Sequence, residues 1–269
     1  MKIIHLTDTH LVRPGETLFG LDPLQRLRAA VDHINTHQDD AEAVMVTGDL
    51  TNWADPEAFA SFVSETDRLV MPVYPVIGNH DSRDGLHAAL PDLPRDPNGY
   101  FQYRLDMPAG RFLVLDTIQP GTHAGAYDDH RLAWLDRELR EAGDANVYVF
   151  AHHPPFPIRI PMMDAISVDR SPELVDTLTR YGNVRHYFFG HVHRPVSGSF
   201  RGIPFSTLYG TNHQVDLDFV NPKFDADTVH EPPAYNVVFL EPDLTLVHTC
   251  FYLDNSRRVP WDDETGQRP

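Results

Sequence analysis

The stretch Val73-Tyr74-Pro75-Val76-Ile77-Gly78-Asn79-His80-Asp81 carries most of the decision about fold. Its first five residues are apolar and mostly β-branched or aromatic, as a buried strand requires, and the run stops at a glycine followed by three polar residues. Four other stretches repeat that form. Ile3–Leu6 runs into Asp8-Thr9-His10, and Ala43–Val46 into Gly48-Asp49. Val147–Ala151 runs into His152-His153-Pro154, and His186–Phe189 into Gly190-His191-Val192-His193. Arg111–Leu115 is a sixth apolar run. Between the runs, apolar residues recur at helical steps: Leu24, Leu27, Ala30, Val31 and Ile34; Phe59, Phe62, Val63 and Leu69; Leu132, Leu135 and Leu139; Leu174, Val175 and Leu178. Short apolar strands alternating with helices predict α/β layers with mostly buried strands.

In an open α/β sheet, ligand sites form at the carboxyl ends of strands, so clusters distant in sequence can meet at one edge. Each of the five clusters holds His, Asp or Asn, side chains that bind borderline or hard divalent metals. In Asp8-x-His10 and His191-x-His193 the paired residues stand two apart. In an extended chain both would project to the same side and could share one ion or two adjacent ions. Asp49, Asn79 and His191 each follow a glycine, which lets the backbone turn sharply or approach a metal closely. An aspartate can bridge two ions through its two oxygens, and an asparagine carbonyl adds an oxygen without charge. Taken singly, each cluster has an ordinary explanation as a cap or a turn. Five of them, each ending a buried strand, point to a dinuclear metal centre.

The chain has 269 residues, enough for one large domain or two small ones. No linker splits it, so a single domain over 1–269 is expected, with a metal-site core over 1–215 and an extension over 216–269 that could form an oligomer interface. In the last third, Pro204, Pro222, Pro232, Pro233 and Pro242 break the helical period. Ile203–Leu208, Tyr235–Leu240 and Leu244–Tyr252 read as strands of a second sheet or an antiparallel extension, and Arg257–Pro269 as a surface tail or packing arm. Lys and Arg number 22 against 39 Asp and Glu, a net charge of −17. Such a surface repels long nucleic acids and anionic membranes, although metals could reverse the sign locally for a small anionic substrate. No run approaches the length of a membrane span, and the first apolar run is too short for a signal peptide. The single cysteine, Cys250, cannot form an intrachain bridge. A cytoplasmic protein without membrane partners is expected.

The order Asp8-x-His10, Gly48-Asp49, Gly78-Asn79-His80-Asp81, His152-His153 and Gly190-His191-x-His193 resembles the calcineurin-like metallophosphoesterases. The resemblance covers roughly 1–215. Within that superfamily the chain looks most like the bacterial class III cyclic nucleotide phosphodiesterases and nearby glycerophosphodiesterases, through Thr7-Asp8-Thr9-His10-Leu11, Leu18-Phe19-Gly20, His152-His153-Pro154-Pro155 and Gly210-Thr211-Asn212-His213-Gln214-Val215. It implies a four-layer α-β-β-α sandwich with a C-terminal β-rich extension and two metal ions at one edge. By the same resemblance Asp8, His10 and His193 hold the first ion, Asn79, His152 and His191 the second, and Asp49 bridges them. His80 faces the substrate phosphate as the catalytic residue, and Asn79 and His213 also contact substrate. An iron or manganese pair is favoured, with zinc or cobalt compatible, and relatives form dimers or larger homo-oligomers. The implied reaction is hydrolysis of small phosphodiesters, cyclic nucleotides such as cAMP or glycerophosphodiesters, by a metal-bridging hydroxide attacking phosphorus. A phosphomonoesterase or nuclease on the same scaffold is the alternative, as is a metal-binding scaffold protein without catalysis, against which His80 argues.

His80 could protonate the leaving alkoxide or donate a hydrogen bond to the phosphoryl group. Asp81 could orient that imidazole or cap the following turn, and His153 is expected to support the site without binding metal. Arg13 and Phe19 could touch substrate, although a solvated arginine is the simpler reading of Arg13. His5, His33, His37, His87, His123, His130, His186, His230 and His248 fit no ligand spacing and read as surface or core.

Overall fold

The computed structural model describes residues 1–220 and 227–253; the expected tail over Arg257–Pro269 lies outside them. The described chain forms β1 (Lys2–Leu6), α1 (Pro23–His37), β2 (Ala43–Thr47), α2 (Pro56–Thr66), β3 (Val73–Val76), α3 (Arg83–Ala89), β4 (Tyr103–Met107) and β5 (Gly110–Val114). There follow β6 (Gly125–Ala126), α4 (Asp129–Ala142), β7 (Val147–Phe150), α5 (Pro161–Asp164), β8 (Val168–Asp169), α6 (Ser171–Thr179) and β9 (Val184–Phe188). The last third holds β10 (Ser197–Phe200), β11 (Ile203–Ser206), β12 (Gln214–Val215), β13 (Thr228–Val229), β14 (Ala234–Glu241) and β15 (Leu244–Phe251).

The strands build two main sheets, ordered β15-β14-β1-β2-β3 and β10-β11-β9-β7-β5-β4. Strands β1, β2 and β3 run parallel, as do β5, β7 and β9, so their carboxyl ends share one edge of each sheet. Alternation along each strand sends one set of side chains to each face. Ile3, Met45, Val114, Phe150 and Phe188 meet between the sheets. Ile4, Val44 and Val46 pack outward against Leu27, Val31, Phe59 and Phe62 of α1 and α2. Leu113 and Val149 pack outward against Leu135, Leu139 and Leu174 of α4 and α6. Three separate apolar layers thus give the α-β-β-α sandwich. Helix starts follow their sequence signals: Asp22 and Asp128 accept hydrogen bonds from the Gln25 and Arg131 backbone N–H groups at 3.0 Å.

Of the C-terminal strands only β12 and β13 pair by themselves; β10 and β11 extend the second sheet, and β14 and β15 are the expected antiparallel extension of the first. β14 lies antiparallel against β1, Ile3 opposite Val238, and β15 pairs with β14 at the outer edge. Leu69, expected on the second helical stripe, follows the end of α2 and still packs into the same apolar layer.

Candidate metal centre

The carboxyl ends of β1, β2, β3, β7 and β9 bring all seven expected ligand residues to one place. Asp8 Oδ1 lies 3.4 Å from His193 Nε2 and 4.0 Å from His10 Nε2. His10 Nε2 lies 3.1 Å from His193 Nε2 and 3.4 Å from Asp49 Oδ2. On the other side, His152 Nε2 lies 3.3 Å from Asp49 Oδ2 and 3.0 Å from Asn79 Oδ1. The His191 ring stands 5.1 Å from that of His152. Two groups of donors therefore flank Asp49.

Two local readings of the sequence need correction. The paired residues do not sit on extended chain: Asp8, His10, Asp49, His191 and His193 all have φ between 44° and 69°. Left-handed backbone is disfavoured for such residues and persists where surrounding contacts impose it. Here Asp8 N–H donates to the Gly48 carbonyl at 3.1 Å and His10 N–H to the Asp49 carbonyl at 2.9 Å, stitching two loops together. Asp49 also does not present one oxygen to each side. Its Oδ2 faces both His10 and His152, because Oδ1 accepts the His80 backbone N–H at 2.9 Å.

Gly48 both turns, with φ of 92°, and permits close approach, whereas Gly78 and Gly190 are required for close approach alone. A Cβ on Gly78 would lie 2.0 Å from the Asp49 backbone nitrogen, and one on Gly190 would lie 2.1 Å from Thr7 Oγ1. Neither glycine has positive φ. Asp81 takes neither of its expected jobs. It accepts from the N–H groups of Leu50, Thr51 and Gly78 at 2.9–3.1 Å and so joins the Asp49 loop to the Asn79 loop. Ser82 caps the following helix instead. Burial and nearby Asp49 push the Asp81 carboxyl up to about 6.

The histidines are held with their Nε2 atoms turned inward. His152 Nδ1–H donates to the Thr47 carbonyl, His193 Nδ1–H to the His213 carbonyl and His10 Nδ1–H to Asn52 Oδ1, each at 2.8 Å. In the neutral rings this leaves bare Nε2 lone pairs directed at one another and at carboxylate oxygens, an arrangement that repels itself until a cation joins it. His191 Nε2 is buried with no hydrogen-bond partner, which a metal would satisfy. His152 differs: burial opposes its charge, yet Asp49 beside it lifts the imidazole to about 9, so its Nε2 holds a proton that an ion would displace. Burial would raise the Asp49 carboxyl, but His152 and His80 hold it well below the usual carboxylate range. Burial keeps His10 and His191 well below the usual imidazole range. The donor set fits a pair of divalent or trivalent ions.

His153 lies near His152 and His191, but both its ring nitrogens are engaged, Nδ1 with Thr117 Oγ1 at 2.8 Å and Nε2 with the His123 carbonyl at 3.0 Å. It supports the neighbouring loop, as expected. His80 donates Nδ1–H to the Asn52 carbonyl at 2.9 Å. The His213 ring lies 4.4 Å from His193 and 4.9 Å from His10, and burial lowers its basicity. Arg13 pairs with Asp55 at 2.7 Å and does not line the cavity.

A cavity of about 260 Å³ opens over the donors, lined by His10, Asp49, Asn79, His80, His191, His193 and His213. Asn52, Phe19, Met162, Met163, Ile166 and Val215 also line it, with no Lys or Arg among the described residues. His123, which the sequence reads as surface or core, also lines it. Its Nδ1 accepts from the Asn79 side-chain amide at 3.0 Å, and its ring lies 4.9 Å from that of His80. The one available signal was position: His123 sits in the loop after the sixth predicted strand, whose carboxyl end also reaches this edge.

A family model described as calcineurin-like phosphoesterase matches residues 1–195. A probable cyclic nucleotide phosphodiesterase of Rhodopseudomonas palustris is 38% identical, the match covering 94% of this chain and 93% of the relative. A glycerophosphodiester phosphodiesterase of Enterobacter lignolyticus is 31% identical over 80% of this chain and 79% of its own. Among solved structures, a dimetal phosphatase from Danio rerio superposes with a TM-score of 0.71 at 16% identity, covering 94% of this chain and 96% of that one, a likeness of fold. With a family match over most of its length and a donor set suited to two ions, the chain belongs to the calcineurin-like phosphoesterase family.

Proposed function

We propose that the protein is a two-metal phosphodiesterase acting on small diesters, either cyclic nucleotides or glycerophosphodiesters. The observation that carries this is the single Asp49 oxygen lying 3.4 Å from His10 Nε2 and 3.3 Å from His152 Nε2, a donor shared by two half-sites. Asp8, His10 and His193 would hold one ion, and Asn79, His152 and His191 the other. The mixed nitrogen and oxygen donors suit iron, manganese, zinc or cobalt, and the family resemblance favours iron or manganese. When bound, the pair would activate water and neutralise charge on the phosphoryl oxygens.

The chain's own residues complete the chemistry. The cavity is of small-molecule size, which favours a small diester over a polymer or a protein. Among the described residues no Lys or Arg lines the cavity, so the metals and His80 are left to meet the single charge of a diester. His80 commits Nδ1–H to the Asn52 carbonyl, so it can donate from Nε2 only as the doubly protonated ring. Both roles open to it, protonating the leaving alkoxide or hydrogen bonding the phosphoryl group, share that requirement. The names of the Rhodopseudomonas and Enterobacter relatives support a diester substrate.

The chain works as one domain, since β14 completes the sheet that β1 begins. No helix among the described residues is long and apolar enough to cross a membrane, and the lone Cys250 fits a reducing, cytoplasmic setting. The eight-residue edge strand β15 exposes Leu244, Leu246 and Phe251, and a second copy of the same edge is a suitable symmetric partner for a homo-oligomer. The activity test compares bis(p-nitrophenyl) phosphate with p-nitrophenyl phosphate in Mn²⁺. The diester is expected to turn over faster, and Asp49→Ala or Asn79→Ala should abolish turnover. A preference for the monoester, or full activity in Asp49→Ala, would refute the proposal.

A further inference from the structure

The tip of the loop after β1 spends conformational energy to expose an aromatic ring. Leu18 and Leu21 exchange backbone hydrogen bonds at 2.9 and 3.0 Å, closing a two-residue turn whose central positions, Phe19 and Gly20, have φ of 52° and 76°. Glycine accepts that conformation; a bulky aromatic residue pays for it. Burial does not repay Phe19, which is 54% exposed. The turn is nonetheless fixed. Leu18 is buried beneath it, and His230 Nε2–H donates to the Phe19 carbonyl at 2.9 Å from the segment after β13. The Phe19 ring rests 4.7 Å from that of His213 and lines the cavity over the metal donors.

The same cavity has apolar lining residues besides Phe19. Met162 and Met163 of α5, with Ile166 after it, line it together with Val215. Thioether and aromatic surfaces of this kind suit a flat, polarisable ring and offer nothing to the hydroxyl groups of glycerol.

We propose that Phe19 is a specificity-determining residue that stacks on the nucleobase of a cyclic nucleotide while the metal donors face its phosphate. This rests on the phosphodiesterase reading above and narrows it to base-bearing diesters. The fixed turn presents the ring without an ordering cost when substrate binds, which is why an exposed aromatic residue is held in strained backbone.

The experiment measures steady-state kinetics of the Mn²⁺-loaded enzyme on 3′,5′-cyclic AMP, on base-free ribose 3′,5′-cyclic phosphate and on glycerophosphoethanolamine. Removing one base–aromatic stack is worth roughly a 10- to 100-fold rise in KM. Phe19→Ala should show that rise for cyclic AMP with kcat barely changed, and should leave both base-free diesters alone. Phe19→Asn, which tolerates left-handed backbone but lacks the ring, should behave like Phe19→Ala, and Phe19→Tyr should restore the wild-type KM. Equal losses on all three substrates, an unchanged KM for cyclic AMP, or a wild-type preference for the base-free diesters would overturn the assignment while leaving the diesterase activity standing. A wild type that hydrolyses no diester would sink both.

Discussion

Gly78→Ala tests whether the approach of two loops, more than the donors alone, makes the metal centre. The added Cβ would lie 2.0 Å from the Asp49 backbone nitrogen and 2.3 Å from Asp49 Oδ1, where ordinary contact begins at 3.4 Å. The shortfall against the nitrogen is about 1.4 Å, and a backbone atom cannot rotate away as a flexible side chain can. Asp49 must retreat, taking with it the oxygen shared between His10 and His152. A displacement near 1 Å at a reacting centre costs on the order of 10²-fold in rate, and overpacking of a well-filled interior costs about 1–3 kcal/mol of stability. Gly78→Ala should therefore lose at least that much kcat/KM and retain fewer metal ions after dialysis, read by elemental analysis. Gly121→Ala is the control, since Gly121 has φ of 81° but nothing within 4 Å of a new Cβ. It should carry backbone strain and keep full metal and activity. If Gly78→Ala binds two ions and turns over like the wild type, the close-approach argument is wrong.

Asp81→Ala would leave the buried N–H groups of Leu50, Thr51 and Gly78 without their acceptor; at about 1–3 kcal/mol for each unsatisfied group, urea unfolding should show a loss of 3 kcal/mol or more, and a loss under 1 kcal/mol would contradict the role given to it. His123→Ala frees the Asn79 amide to turn its nitrogen toward the metal; loss of such a supporting contact typically weakens a metal site about 10- to 100-fold, so dialysis should strip one ion before the other, and His123→Asn, which keeps an acceptor, should partly restore it. His5 and His186 are buried between the sheets and held neutral, burial lowering them to about 3 and about 4. As pH falls below the ordinary 6.5, the unfolded chain takes up protons that the folded chain refuses, so stability present above pH 6.5 declines by up to about 1.4 kcal/mol per pH unit for each group. Urea midpoints should fall between pH 6.5 and 4, less steeply in His186→Gln; a slope identical to the wild type would rule His186 out as a contributor.

Much of this centre was legible because each donor cluster ends a short apolar strand, and parallel strands must present their carboxyl ends together. The detail at Asp8, His10, His191 and His193 was not. A two-residue spacing suggested extended chain, but the loops reach the same convergence through left-handed backbone imposed by hydrogen bonds from distant segments. His123 is not legible in the sequence because the loop after β5 carries no glycine-led cluster at the strand end, and only folding shows which side chain meets the Asn79 amide. Strand β10, Ser197-Gly198-Ser199-Phe200, has too little apolar character to read as a strand, and α3 is short, polar and contains Gly85. The place of β14 was beyond local pattern altogether, since pairing between positions more than 230 apart leaves no periodic trace.

That pairing has a consequence for how the protein is made. Ile3 meets Val238, so one side of the strand that leads to Asp8 has no neighbour until more than 230 further residues have left the ribosome. Until β14 emerges, β1 offers an open, apolar edge, the kind of surface that recruits chaperones or misjoins with another nascent chain. Assembly of the first sheet is therefore bound to be a late event, and the closing of long loops makes it slow relative to the helices.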